Sequence, residues 1–331
     1  MKNIDFAKER VFSGIQPTGK LHIGNYFGAI KGWLELQKIN NKCVFGIVDY
    51  HALTEGPKPN DLRQRILDTA IDFLASGLDP DKSILMVQSY VPEHTELAWI
   101  LNCITPISWL ERVPTFKEKV QQFVPNAGLL DYPVLMASDI LIYKATVVPV
   151  GQDQFPHVEL AREIAGTFNA LYGDTFPKPF SLPTHTPKIL SLTDPEKKMS
   201  KSLGPSSYIA ISDSPETIKK KLAGAVTDVG DTGAEPKSPG VANLFTLLKL
   251  FSNKKLAEFE KDYQAKKIKY SEVKQVLAKD IADYFSDFRK KREALAKNPT
   301  KVWKILEDGS KKAQVIAQKT LQEVKEKVGL R

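Results

Sequence analysis

The sequence predicts an α/β fold, a doubly wound parallel sheet joined to a second, all-helical C-terminal domain. Three observations carry that reading. Short apolar runs alternate with amphipathic helical stretches through the first half of the chain, as strand–helix–strand repetition requires. Each apolar run ends in glycine or polar residues, where a sheet of this kind, Rossmann-like in its winding, opens its ligand crevice. Strand signals then fade after about Ser206, and lysine-edged amphipathic stretches take over.

In order, Val11 to Ile15 reads as a buried strand, followed by a Gly/Pro/Thr loop and a helix from about Asn25 to Gln37. Cys43 to Val48 is the second strand and ends at Asp49-Tyr50-His51; Leu62, Ile66, Ala70 and Phe73-Leu74 keep helical spacing, and Ser83 to Val87 is the third strand. Thr146 to Val150 is strand-like, Gly151 to Gln154 a turn, and Pro156 to Leu171 helical. The Pro/Gly-rich stretch Asn169 to Pro187 reads as a connector to a further strand-like segment, Lys188 to Leu192. Beyond it, Thr217 to Leu222, Val241 to Phe251, Tyr270 to Arg292 and Val302 to Val328 read as amphipathic helices. A domain change is placed near Pro205, giving a first domain over residues 1–205 and a second over 206–331, with the last helix available to pack on the first.

With 331 residues and 42% hydrophobic residues, the chain fills a substantial core. Lys and Arg outnumber Asp and Glu, 47 to 39, a net charge of +8 that favours polyanionic partners without demanding one. Only two cysteines occur, Cys43 and Cys103, both in apolar contexts. That excludes a disulfide framework and a zinc or iron–sulfur ligand set, and predicts reduced, buried thiols and no metal ligands of the protein's own. No leader-like apolar stretch or bilayer-length run is present, so a cytoplasmic address with no membrane partner is expected.

Two motifs carry chemistry. In the first, Thr18-Gly19-Lys20-Leu21-His22-Ile23-Gly24-Asn25, Pro17 and Gly19 turn the chain out of the strand, Gly24 admits a close phosphate, and His22 and Asn25 stand at a helix mouth that favours anions. The same residues would also make a plain strand–helix turn with a capping Asn. In the second, Lys197, Lys198 and Lys201 alternate with small polar residues around Met199, supplying the mobile point charges suited to a triphosphate. Alone, that run reads as a solvated lysine cluster; it gains weight because it follows a strand-like segment at the edge of the same sheet. A third segment, Tyr132 to Tyr143, has Pro133 in its first turn and is otherwise apolar nearly all round, a buried helix. Asp139 inside it requires a donor, from a structural neighbour or from a ligand N–H or O–H. Tyr132, Met136 and Asp139 share one face.

With these residues in view, the chain resembles the class I aminoacyl-tRNA synthetases, and within them the bacterial-type tryptophan-specific branch. Phe12 to Gly19, His22 to Tyr26, Val48-Asp49, Phe116-Lys117, Gly128 to Leu130, Val148 to Gly151 and Lys198 to Ser202 are similar to family motifs, collinear along almost the whole chain. Tyrosine-specific relatives carry a Tyr on the first strand and a Gln one turn before the helix Asp; Phe12 and Met136 stand there instead. An apolar lining with one acceptor-only carboxylate suits indole, a donor at its ring nitrogen, so Asp139 is expected to read the indole N–H.

The resemblance implies activation of L-tryptophan by ATP, as its Mg²⁺ complex, to tryptophanyl-adenylate, and transfer to tRNA(Trp). It implies no tightly bound cofactor, a homodimer, and a helical domain that meets the anticodon. Gln16, Pro17, Thr18, Gly24 and Asn25 are implied ATP contacts, with Gly151, Gln152 and Asp153 on the ribose and adenine side and Ile189 at the adenine. Lys198, Met199, Ser200, Lys201 and Ser202 form the pyrophosphate loop. His22, Lys117, Lys198 and Lys201 are the implied catalytic groups, and Phe12, His51, Tyr132, Met136, Asp139 and Gln154 the tryptophan contacts. Gln152 departs from the commoner Glu, which removes a carboxylate from that position.

Overall fold

A computed structural model describes residues 5–114, 126–183, 187–227 and 236–330. The chain packs as two compact units: Met1–Gly19, Gly28–Thr184 and Leu295–Arg331 form the first, and Lys20–Phe27 and His185–Ala294 the second.

The first unit is built on a parallel sheet of five strands, β1 (Val11–Ile15), β2 (Cys43–Ile47), β3 (Ile84–Val87), β4 (Val147–Val150) and β5 (Phe180–Pro183), in the order β3-β2-β1-β4-β5. This is the α/β arrangement the strand–helix alternation predicts. Strands buried on both faces read as continuous apolar runs, and all five residues of β2 are buried. Register is fixed along its full length, from Val11↔Cys43 to Ile15↔Ile47 between β1 and β2 and from Val44↔Ile84 to Ile47↔Val87 between β2 and β3. The order reverses beside β1, so the switch point of the sheet lies between β1 and β4.

Helices α1 (Lys31–Ile39), α2 (Pro59–Ser76), α3 (Glu93–Asn102), α4 (Ala127–Leu141) and α5 (Phe155–Tyr172) cross between these strands. Phe12, Val44, Met86, Leu97, Val134, Ile164 and Phe168 belong to one buried cluster that joins sheet and helices. On the other face, Trp33 of α1 stacks on Phe45 at 4.6 Å between ring centroids.

The second unit is helical, with α6 (Pro215–Ala223), α7 (Pro239–Phe251), α8 (Asn253–Gln264), α9 (Tyr270–Tyr284) and α10 (Ser286–Ala296). Phe27, Phe251, Tyr284 and Phe285 form an aromatic cluster within it, Phe27 and Phe251 edge to face at 5.2 Å. The long α11 (Pro299–Lys327) belongs to the first unit, where it runs along the edge strand β3.

Several expectations are corrected. The fifth strand is Phe180–Pro183, inside the stretch read as a connector; Lys188 to Leu192 contributes only an isolated bridge between Leu190 and Lys198. Four residues flanked by prolines give too little periodic pattern to stand out. Helix α4 begins at Ala127, where Asn126 Oδ1 accepts the Leu129 N–H at 2.9 Å, so Pro133 is interior to the helix and not in its first turn. Helix α8 went unread because Leu256, Phe259 and Tyr263 are its few large apolar residues among lysines and acids. Cys43 is buried, but Cys103 is exposed at the end of α3.

Candidate active site

In the first unit, the carboxyl ends of β2 and β3 deliver polar residues toward α4. The turn Asp49–Ala52 follows β2, and Gln88 follows β3. Asp49 accepts the Ser89 N–H at 2.9 Å and the Ser89 hydroxyl at 2.5 Å, which ties the two strand ends together. Gln88 Oε1 accepts the Tyr50 N–H at 3.0 Å, and its Nε2 donates to Asp139 Oδ1 at 2.7 Å. Both ends of the amide are used, so its orientation is fixed by its partners.

Asp139 is the centre of this arrangement and is only 1% exposed. His94 Nδ1 lies 2.6 Å from Oδ1, and His51 Nε2 lies 2.9 Å from Oδ2. Burial alone would raise its carboxyl, but the His94 charge and the bonds from His51 and His94 outweigh it and hold the group at about 2. His94 Nε2 is in turn 2.7 Å from the Tyr143 hydroxyl, and the Tyr143 ring stacks on Phe12 at 5.5 Å. Phe12 therefore sits in the core behind the network. Tyr132 lies near the His51 ring, 6.2 Å between centroids, and its hydroxyl is 2.9 Å from His157 Nε2. Met136 is partly buried against the core cluster.

Of the residues expected at the nucleotide, Gln16, Pro17 and Thr18 form the loop after β1, where the Thr18 N–H donates to Gln16 O at 2.9 Å. Gly151 follows β4, and a Cβ there would meet Asp153 Oδ1 at 2.6 Å. Gln152 and Asp153 are exposed, and Gln154 Nε2 donates to Asp153 Oδ2 at 2.9 Å. Lys117, with its neighbour Phe116, lies outside the described residues.

The second unit holds the imidazole and the lysine loop. Leu21 to Ile23 pair against Ile209 to Ile211, with Ile23 N–H donating to Ile209 O and Ile211 N–H to Leu21 O, both at 3.0 Å. His22 and Asn25 cap each other: the Asn25 N–H donates to His22 Nδ1 at 3.3 Å, and the His22 N–H to Asn25 Oδ1 at 3.2 Å. Gly24 serves this cap directly, because a Cβ would come within 2.9 Å of the His22 ring. Burial first, then the Lys201 and Lys198 ammonium groups, bring the His22 imidazole down to about 3. The ring is neutral, its Nδ1 accepts, and the proton is on Nε2, which makes it a hydrogen-bond donor.

The loop Ile189 to Ser207 is tied down by its backbone: Met199 N–H donates to Ile189 O at 3.0 Å, Ser191 N–H to Lys197 O at 2.9 Å, and the Ser207 hydroxyl to Ser200 O at 2.8 Å. The Met199 side chain is buried and acts as an anchor. Lys198 is exposed, while Ser200 caps the single turn Lys201–Leu203 by accepting the Ser202 N–H at 3.4 Å. Among the described residues, no group of three or more His, Cys, Asp or Glu is placed to hold a metal ion.

A buried neutral histidine makes the second unit acid-sensitive. Unfolding restores the imidazole to its ordinary value near 6.5, so the unfolded chain binds the extra proton and stability falls as pH drops below that value. About 2 kcal/mol should be lost between pH 6.5 and 5. His22→Asn, which cannot titrate, should flatten that slope in denaturation at the two pH values; an equal slope in both proteins would refute it.

The model of the class I tRNA synthetases for tryptophan and tyrosine matches residues 7–286. The chain belongs to that family. The synthetase is 44% identical to the tryptophan–tRNA ligase of Clostridium tetani, over 99% of this chain and 97% of the relative. It also resembles the tryptophanyl-tRNA synthetase of Campylobacter jejuni solved with ADP and tryptophan, at 38% identity and a TM-score of 0.84, covering 97% of this chain and 99% of that one. The tryptophanyl-tRNA synthetase of Mycoplasma pneumoniae is similar at 32% identity and a TM-score of 0.86, over 98% of each chain.

Sequence reading of the synthetase missed Gln88, His94, Tyr143 and His157. Gln88 had a signal, since it directly follows an apolar strand as Asp49 and His51 do. His94 had none, because its partners come from α4 and the residues just after it.

Proposed function

We propose that this synthetase is a tryptophan–tRNA ligase. The single observation that carries the substrate is the buried carboxylate of Asp139, kept ionised by His94 and His51, on a helix that also carries Met136 and Tyr132. Asp139 Oδ2 takes a single donor, His51, and so keeps an acceptor position that the N–H of indole fills and that phenylalanine would leave empty. His51, Tyr132, Gln154, Met136 and Asp139 are the tryptophan contacts in this reading, with Phe12 setting the shape behind them.

ATP, as its Mg²⁺ complex, is the second substrate. Gln16, Pro17, Thr18, Gly24, Asn25, Gly151, Gln152, Asp153, Ile189 and Lys198 to Ser202 are its contacts in this reading, with His22 at the phosphates. Met199 contributes through its backbone, since its side chain is buried. The tryptophan carboxylate attacks the α-phosphate in line, forming tryptophanyl-adenylate and expelling pyrophosphate. The His22 Nε2–H and the Lys198 and Lys201 ammonium groups strengthen their contacts as charge gathers on the leaving group. The terminal ribose hydroxyl of tRNA(Trp) then takes the acyl group.

Functionally, residues 1–205 form the catalytic part and 206–331 the tRNA part, whose lysine-rich helices before α11 suit phosphate contacts and splayed anticodon bases. The assembly is a homodimer acting in the cytoplasm. No helix among the described residues is long and apolar enough to cross a membrane.

The test is ATP–pyrophosphate exchange with each amino acid in turn, followed by charging of tRNA. Exchange with tryptophan alone is expected. Exchange with tyrosine would overturn the Phe12 and Met136 argument, and exchange with none would remove the enzymatic reading.

A further inference from the structure

Asp139 Oδ1 takes two donors, Gln88 Nε2 at 2.7 Å and His94 Nδ1 at 2.6 Å, whereas Oδ2 takes one, His51 Nε2 at 2.9 Å. A carboxylate oxygen accepts about two bonds in its plane, so Oδ1 is filled and Oδ2 keeps one acceptor position. His94 is 0% exposed and is held at three points: Nδ1 on Asp139, Nε2 at 2.7 Å from the Tyr143 hydroxyl, and its carbonyl accepting the Ser138 hydroxyl at 2.6 Å. Burial keeps the Tyr143 hydroxyl well above its ordinary value, so it stays protonated and holds the ring at Nε2. An ionised carboxylate only accepts, so the ring nitrogen facing it, Nδ1, carries the proton that points at Asp139.

We infer that His94, backed by Tyr143, is a positioning residue for substrate selection: it keeps the Asp139 carboxylate charged and turned so that the free position on Oδ2 is the one offered to an indole N–H. The inference rests on the reading of Asp139 as the indole acceptor and adds two residues that never touch the substrate. Gln88 performs the same service from β3 but carries a neutral amide. His51 differs, because it shares Oδ2 with the ligand and lies beside the Tyr132 ring.

The titratable groups facing this carboxylate are few. His94 comes from α3, His51 from the turn after β2, and Tyr143 from the residues after α4; Glu93 acts on Tyr143, and His157 of α5 is one bond behind Tyr132. Removing the His94 donor leaves burial as the leading influence, and the carboxyl then takes up a proton in a more ordinary pH range. A protonated Asp139 offers an O–H where an acceptor is required.

The experiment measures KM for tryptophan and kcat in ATP–pyrophosphate exchange between pH 6 and 8.5, for the wild type, His94→Leu, His94→Asn, Tyr143→Phe and Asp139→Asn. His94→Leu should raise KM for tryptophan about tenfold or more at pH 6, with the defect shrinking toward pH 8.5 and no matching fall in kcat. His94→Asn places an amide N–H where Nδ1–H was and should recover part of the flat pH profile, the share carried by the hydrogen bond rather than the charge. Tyr143→Phe keeps the ring on Phe12 but frees Nε2, and should show a smaller rise in KM with the same pH trend, so the inference stays open to test if His94→Leu fails to fold. A purely structural role for His94 predicts losses that do not depend on pH and are not rescued by Asn. If Asp139→Asn raises KM while the His94 and Tyr143 variants keep the wild-type pH profile, the inference falls and the Asp139 reading stands. If Asp139→Asn leaves KM for tryptophan unmoved, that reading falls and takes the inference with it.

Discussion

Gly309→Ala should destabilise the first unit by about 3 kcal/mol or more, although alanine is the better helix former by about 1 kcal/mol. Gly309 lies inside α11, where glycine is otherwise a cost. A Cβ at this position would stand 1.9 Å from the Leu85 carbonyl oxygen and 2.9 Å from its carbonyl carbon. Both are backbone atoms of β3, and β3 is locked in register to β2 through Phe45↔Leu85. The strand has no slack with which to retreat, so the helix must lift. Beside it, the Ser310 hydroxyl accepts the Val87 N–H at 3.1 Å, satisfying a donor on the open edge of the sheet. Lifting the helix breaks that bond and exposes the apolar face of Val302, Leu306, Ala313, Ala317 and Leu321. Ser310→Ala, which removes the acceptor without a clash, should cost about 1–3 kcal/mol. Urea denaturation of the two variants beside the wild type tests the order. A Gly309→Ala protein as stable as the wild type would mean that α11 is not seated on β3 as described.

The same helix shows where sequence reading of this chain succeeds and where it stops. Its apolar stripe is a local pattern, so α11 was legible as an amphipathic helix; that Gly309 is its point of closest approach to a strand is a fact about two segments far apart in the chain. The candidate site divides likewise. Asp139 was legible because a carboxylate in an apolar helix must be paired, and that rule holds whatever the partner is. Gln88 and His94, the partners themselves, were not, since hydrogen bonding across the fold leaves no periodicity. His22 and Gly24 stand out in the sequence, and the reason assigned to Gly24 there is the approach of a phosphate. The structure gives it a prior task, clearing space for the His22 ring so that Nδ1 reaches the Asn25 N–H. β5 marks the opposite limit, a real strand too short and too proline-bound for its pattern to rise above that of a loop.

Lys201→Ala should lower the rate of tryptophan-dependent ATP–pyrophosphate exchange by ~10²–10³-fold while leaving KM for tryptophan nearly unchanged. The loop that carries this lysine is pinned by Met199, by the Ser200 cap and by the Ser207 hydroxyl, so the substitution removes a charge from a held backbone and should not unfold the segment. What the charge does at rest is visible at His22, whose imidazole is kept from protonating by burial first and then by Lys201 and Lys198. Two motifs distant in sequence are thus coupled electrostatically within the second unit. In the proposed reaction a departing pyrophosphate would reverse the balance: the lysines that repel a proton from His22 would attract the new anion, and the neutral ring would present its Nε2–H to the same charge. The three groups should therefore act as a set. Lys201→Ala combined with His22→Asn should lose less than the two single effects multiplied, because each variant disables a contact that the other strengthens. Lys201→Ala should also raise the pKa of His22, a shift readable by NMR titration of the ring without substrate. An unchanged exchange rate would remove Lys201 from the reaction; a lowered rate with fully independent effects of the two substitutions would keep it there but dissolve the set.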